Sequence, residues 1–289
     1  MDLPVVVGTD GSEASLRAVD WAADEAALRG LPLRVVYASL WERYEGDALA
    51  RDIGGPDREV TAGDLVAAAV RRAEHRQPDL KVTGDVLPEE PEYALVAEGR
   101  RAAALVLGTR GRGGIAEALL GSVSLAAAGH ADCPVVVVRG SHDNQARRAL
   151  RGRVVVGVGE GPGATDVVRF AAEEARRRGV PLDAVSAWKR PAHEASGHPL
   201  LTGDPARPHE ERAVAALEAA LAGVAEEVTV RRHTVEGHAL RVLADASWEA
   251  DLLVVGARRR PAHHGSRLGR VAHGVLHRSG CPVAVVPHS

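Results

Sequence analysis

The chain has 289 residues, enough for one large domain or two of ordinary size. Its net charge of −3 and aromatic content of 3% argue against a nucleic-acid-binding surface. No apolar run approaches the ~20 residues that a membrane helix needs, and the first residues lack the basic region and cleavage site of a signal peptide. Together these features lead us to expect neither nucleic acid nor a membrane as partner. The two cysteines each precede a proline and an apolar run, so we expect buried thiols and a cytoplasmic location.

Short apolar runs alternate with helical patterns along the first half of the chain. Strands are predicted at Val5–Gly8, Leu33–Ala38, 80–87, Ala104–Gly108 and Val135–Val138. Helices are predicted from Ser12 or Ser15 to Arg29, and over residues 64–76, 91–100 and 123–129. This alternation implies right-handed crossovers and a parallel sheet that is covered on both faces.

The second half of the chain repeats the first. "VVVGTDGS" begins at Val5 and "VVVGVGEG" at Val154, an offset of 149 (154 − 5), and an offset of 148 (281 − 133) relates Cys133 to Cys281. We therefore predict two tandem domains, residues 1–140 and 152–289, with a polar linker between them. Each is expected to be a flavodoxin-like, Rossmann-like α/β domain with a five-stranded parallel sheet, and the two are expected to form an intramolecular pair.

A glycine-rich segment, "LVLGTRGRGGIAEALLGSVS" at residues 105–124, follows the fourth strand. Gly108 and Gly111 stand just past the strand end, where glycine permits positive φ and close approach of a ligand. Gly121, Ser122 and Ser124 open a helix whose N-terminus favours an anion such as phosphate. The spacing alone is compatible with a phosphate cradle, or with tight turns and helix caps.

The spaced pattern Gly108-x2-Gly111-x9-Gly121-Ser122 resembles the nucleotide signature of the universal stress protein family. "VVVGTDGS" resembles the first strand and loop of that family, and "CPVVVV" resembles its last strand. The resemblance covers nearly the whole chain, twice, so the chain is similar to a tandem member. It implies an adenine nucleotide-binding domain, usually dimeric or tandem, that holds ATP without a dedicated catalytic centre. It is also compatible with a homodimer of this chain.

Carried over residue by residue, the resemblance implies one nucleotide site in the first half. Asp10 and the main chain near Ala38 would contact the adenosine, with the glycine segment around the ribose and phosphates. Mg²⁺ could accompany the phosphates of the bound nucleotide. Asp10 could instead be a turn residue of "TDGS", but we favour the binding role. The implied site residues are Gly8, Thr9, Asp10, Ala38, Gly108, Arg110, Gly111, Gly121, Ser122, Val123 and Ser124.

The second copy departs from this pattern. Gly159 replaces Asp10, Arg259 replaces Gly111, and Arg270 replaces Ser122. A cation at a helix N-terminus is unfavourable without an anion. We favour a decayed second site that leaves this copy as a structural partner. In the alternative interpretation, the arginines hold a more anionic ligand; they are Arg258, Arg259, Arg260, Arg267 and Arg270.

Other chemistries have weaker support. Neither of the two lysines follows a phosphate-loop glycine, and no G-x-S-x-G elbow occurs. A loose dinucleotide fingerprint at residues 159–164 lacks its acid, because Trp188 and Lys189 stand at that strand end. We predict an ATP-binding, non-enzymatic stress-response protein, with slow ATP hydrolysis left open. The alternatives are a flavin- or dinucleotide-binding oxidoreductase-type domain and a ligand-free interaction module.

Overall fold

The computed structural model describes residues 2–40, 61–109, 120–139, 152–161, 163–189, 207–258 and 268–288. The chain divides into two compact units, Met1–Arg147 and Arg148–Ser289. The predicted domain boundaries, 140 and 152, adjoin residues 140–151, which lie outside the described part of the chain. Within the described ranges, no helix combines the length and the apolar composition that crossing a bilayer requires.

The first unit is a parallel sheet between two layers of helices. Its strands are β1 (Val5–Gly8), β2 (Leu33–Ala38), β3 (Val82–Leu87), β4 (Ala104–Gly108) and β5 (Val135–Val138). Its described helices are α1 (Glu13–Arg29), α2 (Ala62–Arg76), α3 (Pro91–Glu98) and α4 (Ser122–His130). The strand order is β3-β2-β1-β4-β5, with every pair parallel. Helix α1 packs beside α2, and α3 beside α4, which confirms the predicted fold.

The second unit repeats this architecture. Its strands are β6 (Val154–Gly157), β7 (Leu182–Trp188), β8 (Val230–Glu236), β9 (Leu252–Arg258) and β10 (Val283–His288). Its described helices are α5 (Ala164–Arg178), α6 (Arg207–Leu221), α7 (Ala239–Ser247) and α8 (Arg270–Arg278). The order within this unit is β10-β9-β6-β7-β8, again all parallel.

Local signals explain where α1 begins and where the first helix of each unit ends. The Ser12 side chain caps α1 by accepting a hydrogen bond from the backbone N–H of Ser15. Gly30 then ends the helix in a left-handed conformation, φ +65°, and its N–H bonds the carbonyls of the last turn. Gly179 ends α5 in the same way, at φ +64°. The chain therefore returns to the sheet at the same point in both repeats.

Four elements have bounds that differ from the sequence prediction. Helix α2 begins at Ala62, after its N-cap Thr61, rather than at residue 64, and α4 is one residue longer at each end than the predicted 123–129. Strand β3 begins at Val82 rather than residue 80, because Leu80 closes a turn by donating its N–H to the carbonyl of Gln77. Helix α3 stops at Glu98, and a single 3₁₀ turn, Gly99–Arg101, completes the predicted segment. All four changes lie at element ends, and in β3 and α3 a short turn replaces the regular structure there.

Both cysteines are buried thiols outside any disulfide, as predicted. They precede β5 and β10 in equivalent positions of the two units. Burial raises the pKa of the Cys133 thiol to about 12. That thiol therefore stays protonated near neutral pH, where it acts as a small apolar core residue.

Candidate functional site

The strand order of the first unit reverses direction between β1 and β4, which is the topological switch point of this sheet. From β1 the chain proceeds outward through β2 to β3, and then returns to β4 on the other side of β1. Ligands of doubly wound sheets bind beyond the carboxyl ends of the strands that flank such a point. Gly8 ends β1 and Gly108 ends β4, so both lie at this edge of the sheet.

A network of short polar side chains holds the turn between β1 and α1. Thr9 is buried, and its Oγ1 shares a hydrogen bond of 3.2 Å with Ser15 Oγ. Asp10 Oδ1 accepts bonds from the Ser12 N–H at 3.0 Å and from Ser12 Oγ at 2.6 Å. Gly11 adopts positive φ, +76°, at the bend. These bonds show that Asp10 serves the turn, and its role toward a nucleotide stays a prediction.

Gly108 is required where β4 ends against the start of α1. A Cβ at this position would lie 2.7 Å from the carbonyl carbon and oxygen of Ala14 and 3.0 Å from the Ser15 nitrogen. These are backbone atoms, so no side chain can turn away to make room. Gly108 itself remains an extended strand residue. The physical reason for this glycine is therefore strand–helix packing, rather than the positive φ that the sequence suggested.

The N-terminus of α4 is tied to the end of β4. Gly121 is the N-cap, at φ −69°, and it offers no side-chain cap to the first helical N–H groups. Its own N–H bonds the Thr109 carbonyl at 2.6 Å. Ser124 is buried and donates its hydroxyl to the Gly108 carbonyl at 2.6 Å, whereas Ser122 is exposed. The first turn of α4 thus presents its N–H groups beside the switch point.

Contacts bring most of the predicted residues of the described chain to one edge of the sheet. Ser15 joins the Thr9–Asp10 turn to the neighbourhood of Gly108, which in turn joins α4. Ala38 ends the neighbouring strand β2 and is half-buried. Val123 lies within the first turn of α4. The other two predicted residues, Arg110 and Gly111, lie outside the described residues.

Sequence reasoning missed the linking role of Ser15. Its hydroxyl accepts a bond from the Asp10 N–H at 3.3 Å and donates to the Ser12 carbonyl at 2.9 Å. Both serines were visible as candidate caps three residues apart. Their spacing could not reveal that the second serine faces the β1 turn.

At the equivalent edge of the second unit, different side chains occupy the space between the strand ends and the first helix. His288, at the end of β10, lies against the start of α5, where an added Cβ at Gly163 would overlap its imidazole ring. A Cβ at Gly256, the counterpart of Gly108, would lie 2.9 Å from His288 Cδ2 and Nε2. The first copy has Gly140 at the position equivalent to His288. No periodic pattern indicates this contact, because it joins residues far apart in the chain.

A cavity of about 650 Å³ remains at this edge of the second unit. Gly159 and Glu160 line it where the first copy has Asp10 and Gly11, and so do Arg258 and Arg270. Ala164 replaces the linking Ser15, so the polar network of the first copy has no counterpart here. The remaining predicted arginines, Arg259, Arg260 and Arg267, fall in a part of the chain that the structure does not describe.

Comparison with known proteins agrees with the repeat. The profile of the universal stress protein family matches residues 3–139 and again residues 151–287. One universal stress protein of Mycobacterium tuberculosis is 34% identical over 296 residues, which cover 99% of this chain and 97% of the relative. A second from the same organism is 31% identical over 305 residues, covering 98% and 95%.

Solved structures share the architecture at lower identity. A universal stress protein from Archaeoglobus fulgidus superposes with a TM-score of 0.62 at 17% identity, covering 99% of this chain and 98% of its own. A protein from Pseudomonas aeruginosa superposes with a TM-score of 0.64 at 16% identity, covering 99% and 92%. Both likenesses concern the fold. Because the family profile matches both halves and the full-length relatives exceed 30% identity, the chain belongs to the universal stress protein family.

Proposed function

We propose that the first domain binds an adenine nucleotide, with ATP as the preferred ligand, and that this binding serves a regulatory role in the stress response. The observation that carries the proposal is the start of α4. Its N-cap is a glycine without a side-chain cap, and it stands beside the switch point of the sheet. A helix N-terminus with small residues around it favours phosphate, because N–H groups and the helix dipole converge there.

The phosphates would meet Gly121, Ser122 and Val123. Ser122 is exposed, so its hydroxyl can donate to a phosphate oxygen without breaking a contact inside the protein. Ser124 cannot serve equally well, since its hydroxyl already bonds the Gly108 carbonyl. We therefore assign Ser122 to the ligand and Ser124 to the support of the loop that precedes it.

The adenosine would lie toward β1 and β2. Asp10 is partly exposed at the end of β1 and carries a carboxylate that can accept from a ribose hydroxyl or an amino group. Ala38 ends β2 beyond the bond that the Thr9 N–H makes to the Val36 carbonyl, and its main chain would read the edge of a base. The adenosine would thus lie on the side of β1 and β2, and the phosphates on the side of β4 and α4.

We propose binding rather than turnover. Among the described residues, no group of three or more His, Cys, Asp or Glu side chains could hold a metal ion. Mg²⁺ that accompanies the nucleotide would be held by the phosphates and by water, which suits its preference for oxygen ligands and retained hydration. In this proposal the protein binds and orients the nucleotide.

Calorimetric titration of the full chain with ATP, FAD and NAD in parallel tests the proposal. We expect heat and a raised melting temperature with ATP, and neither with the two dinucleotides. Mass spectrometry of small molecules released from the purified protein gives a second measurement. Binding of FAD or NAD without ATP would instead support an oxidoreductase-type cofactor domain, and no binding of any of the three would support an interaction module.

A further inference from the structure

A second cavity, of about 570 Å³, lies in the second unit between the sheet and α7. Its floor is formed by Val155 of β6, Asp183 and Val185 of β7, and His233 and Val235 of β8. The other cavity of this unit, of about 650 Å³, lies at the carboxyl edge of the sheet. The described linings of the two share only Val185, so they are separate spaces. The volume of the cavity beside α7 falls in the range of roughly 300–1,000 Å³ that is common for small-molecule sites.

Among the strands, helix α7 packs mainly on β6, β7 and β9, and the space beside the edge strand β8 stays open. The helix contributes Arg241, Val242 and Asp245 to the wall, and the edge strand leaves Val235 37% exposed. The result is an apolar groove of valines with charged groups along its sides.

Asp183 is the unusual residue of this groove. Its side chain is only 8% exposed, and its Oδ2 accepts a long bond of 3.4 Å from Arg153. Its Oδ1 is buried and has no hydrogen-bond partner among the described residues, with Arg231 Nη1 at 3.8 Å. A buried carboxylate oxygen without a donor is unfavourable, because it has lost its hydrogen bonds to water and gained none within the protein. A ligand that donates a hydrogen bond to Oδ1 would remove this penalty.

The first unit shows what occupies the equivalent space there. Arg34 stands at the position of Asp183, and its guanidinium bonds Asp85 at 2.7 Å and also Glu98. In the second unit the counterpart of Glu98 is Ala246, a lining residue of the groove. The cation of the first unit is thus replaced by an acid, and one of its partners by a methyl group.

The remaining charges of the lining are predominantly negative. Besides Asp183, the acidic side chains are Glu236, Asp245 and Glu249, against the two arginines Arg153 and Arg241. Arg231 adds a third guanidinium beside the groove, 3.8 Å from Asp183 Oδ1, so the four carboxylates still outnumber the arginines. An anion is therefore disfavoured, and a positive group can take the place that the Arg34 guanidinium fills in the first unit.

We propose that this groove binds a small organic cation, an ammonium or guanidinium group on an aliphatic chain. The cationic head donates to Asp183 Oδ1, and the aliphatic chain lies on Val185, Val235 and Val242. This site is independent of the nucleotide, because none of these residues belongs to the first unit.

Three probes of equal chain length test the charge requirement on the full-length protein: hexylamine, hexanol and hexanoate. Hexylamine, charged at neutral pH, should bind at least about tenfold more tightly than hexanol, the scale of a charged hydrogen bond. Hexanoate should show no binding. Equal affinity for hexylamine and hexanoate, or no detectable binding of hexylamine, would overturn the proposal.

Variants then locate the site. Asp183→Asn should weaken hexylamine binding at least about tenfold. The control Glu218→Gln removes the same charge from the other side of β8, where Glu218 pairs with Arg232 at 3.1 Å, and should leave binding unchanged. Val235→Trp should fill the groove and block binding without a lower melting temperature, because this residue lies exposed on an edge strand. Wild-type affinity in a folded Val235→Trp variant would contradict the proposed location, even if Asp183→Asn fails to fold.

Discussion

Ser124 donates its hydroxyl to the carbonyl oxygen of Gly108 at 2.6 Å, and this bond joins the start of α4 to the end of β4. Both groups are buried. The bond fixes the helix N-terminus relative to the sheet edge, so the proposed phosphate site depends on it although Ser124 is not assigned to the ligand.

The two serines of this turn should behave differently when changed to alanine. Ser124→Ala should lower the free energy of unfolding by about 1–3 kcal/mol, because it leaves the buried Gly108 carbonyl without its donor. Ser122→Ala should leave stability unchanged and weaken ATP binding by about 1 kcal/mol, the scale of one neutral hydrogen bond. Urea unfolding and calorimetry measure the two effects. Equal loss of stability in both variants would refute the division of roles.

Gly108→Ala should destabilise the protein by about 1–3 kcal/mol, the usual cost of forcing an extra group into a packed region. The added Cβ would meet the Ala14 backbone at 2.7 Å, so α1 must move. Gly63→Ala is a matched control in the exposed first turn of α2, where the nearest atom is 3.7 Å away. We expect that control to stabilise the protein by up to about 1 kcal/mol. A Gly108→Ala variant as stable as this control would contradict the packing argument.

His288 and Gly163 should be energetically coupled. Gly163→Ala alone should cost stability, because its Cβ would overlap the His288 ring. In a His288→Ala background the same change should cost less, with a coupling energy of about 1 kcal/mol. A double-mutant cycle measured by chemical unfolding provides the test. Strict additivity would show that the ring does not lie against Gly163.

Cys133 should resist thiol reagents in the folded protein at pH 8, because burial raises its pKa to about 12. The folded state favours the protonated thiol, so its stabilising effect is complete below the unfolded value of 9.0 and is lost as pH rises toward 12. Cys133→Ala should show a smaller loss of stability over that pH range. Rapid labelling of this residue under native conditions would contradict the buried, protonated state.

The fold was predictable from sequence because its signals are local and occur twice. Continuous valine runs gave the buried strands, and Gly30 and Gly179 marked the helix ends. Contacts between distant segments were not predictable in this way. The packing of Gly108 on Ala14, the link through Ser15 and the overlap of His288 with Gly163 each depend on tertiary approach. Asp10 illustrates the limit, since its sequence position supports both a turn and a ligand contact.

A titration of full-length protein with ATP, compared between Gly121→Arg and Gly269→Arg, tests the central claim most directly. Both glycines are N-caps without a side-chain cap, one before α4 and the other before α8, so the substitution is matched between the two units. We predict that the wild-type protein binds a single ATP per chain, that Gly121→Arg abolishes binding while the protein remains folded, and that Gly269→Arg binds as the wild type does. Loss of binding in Gly269→Arg with retention in Gly121→Arg would contradict the account and place the nucleotide in the second unit.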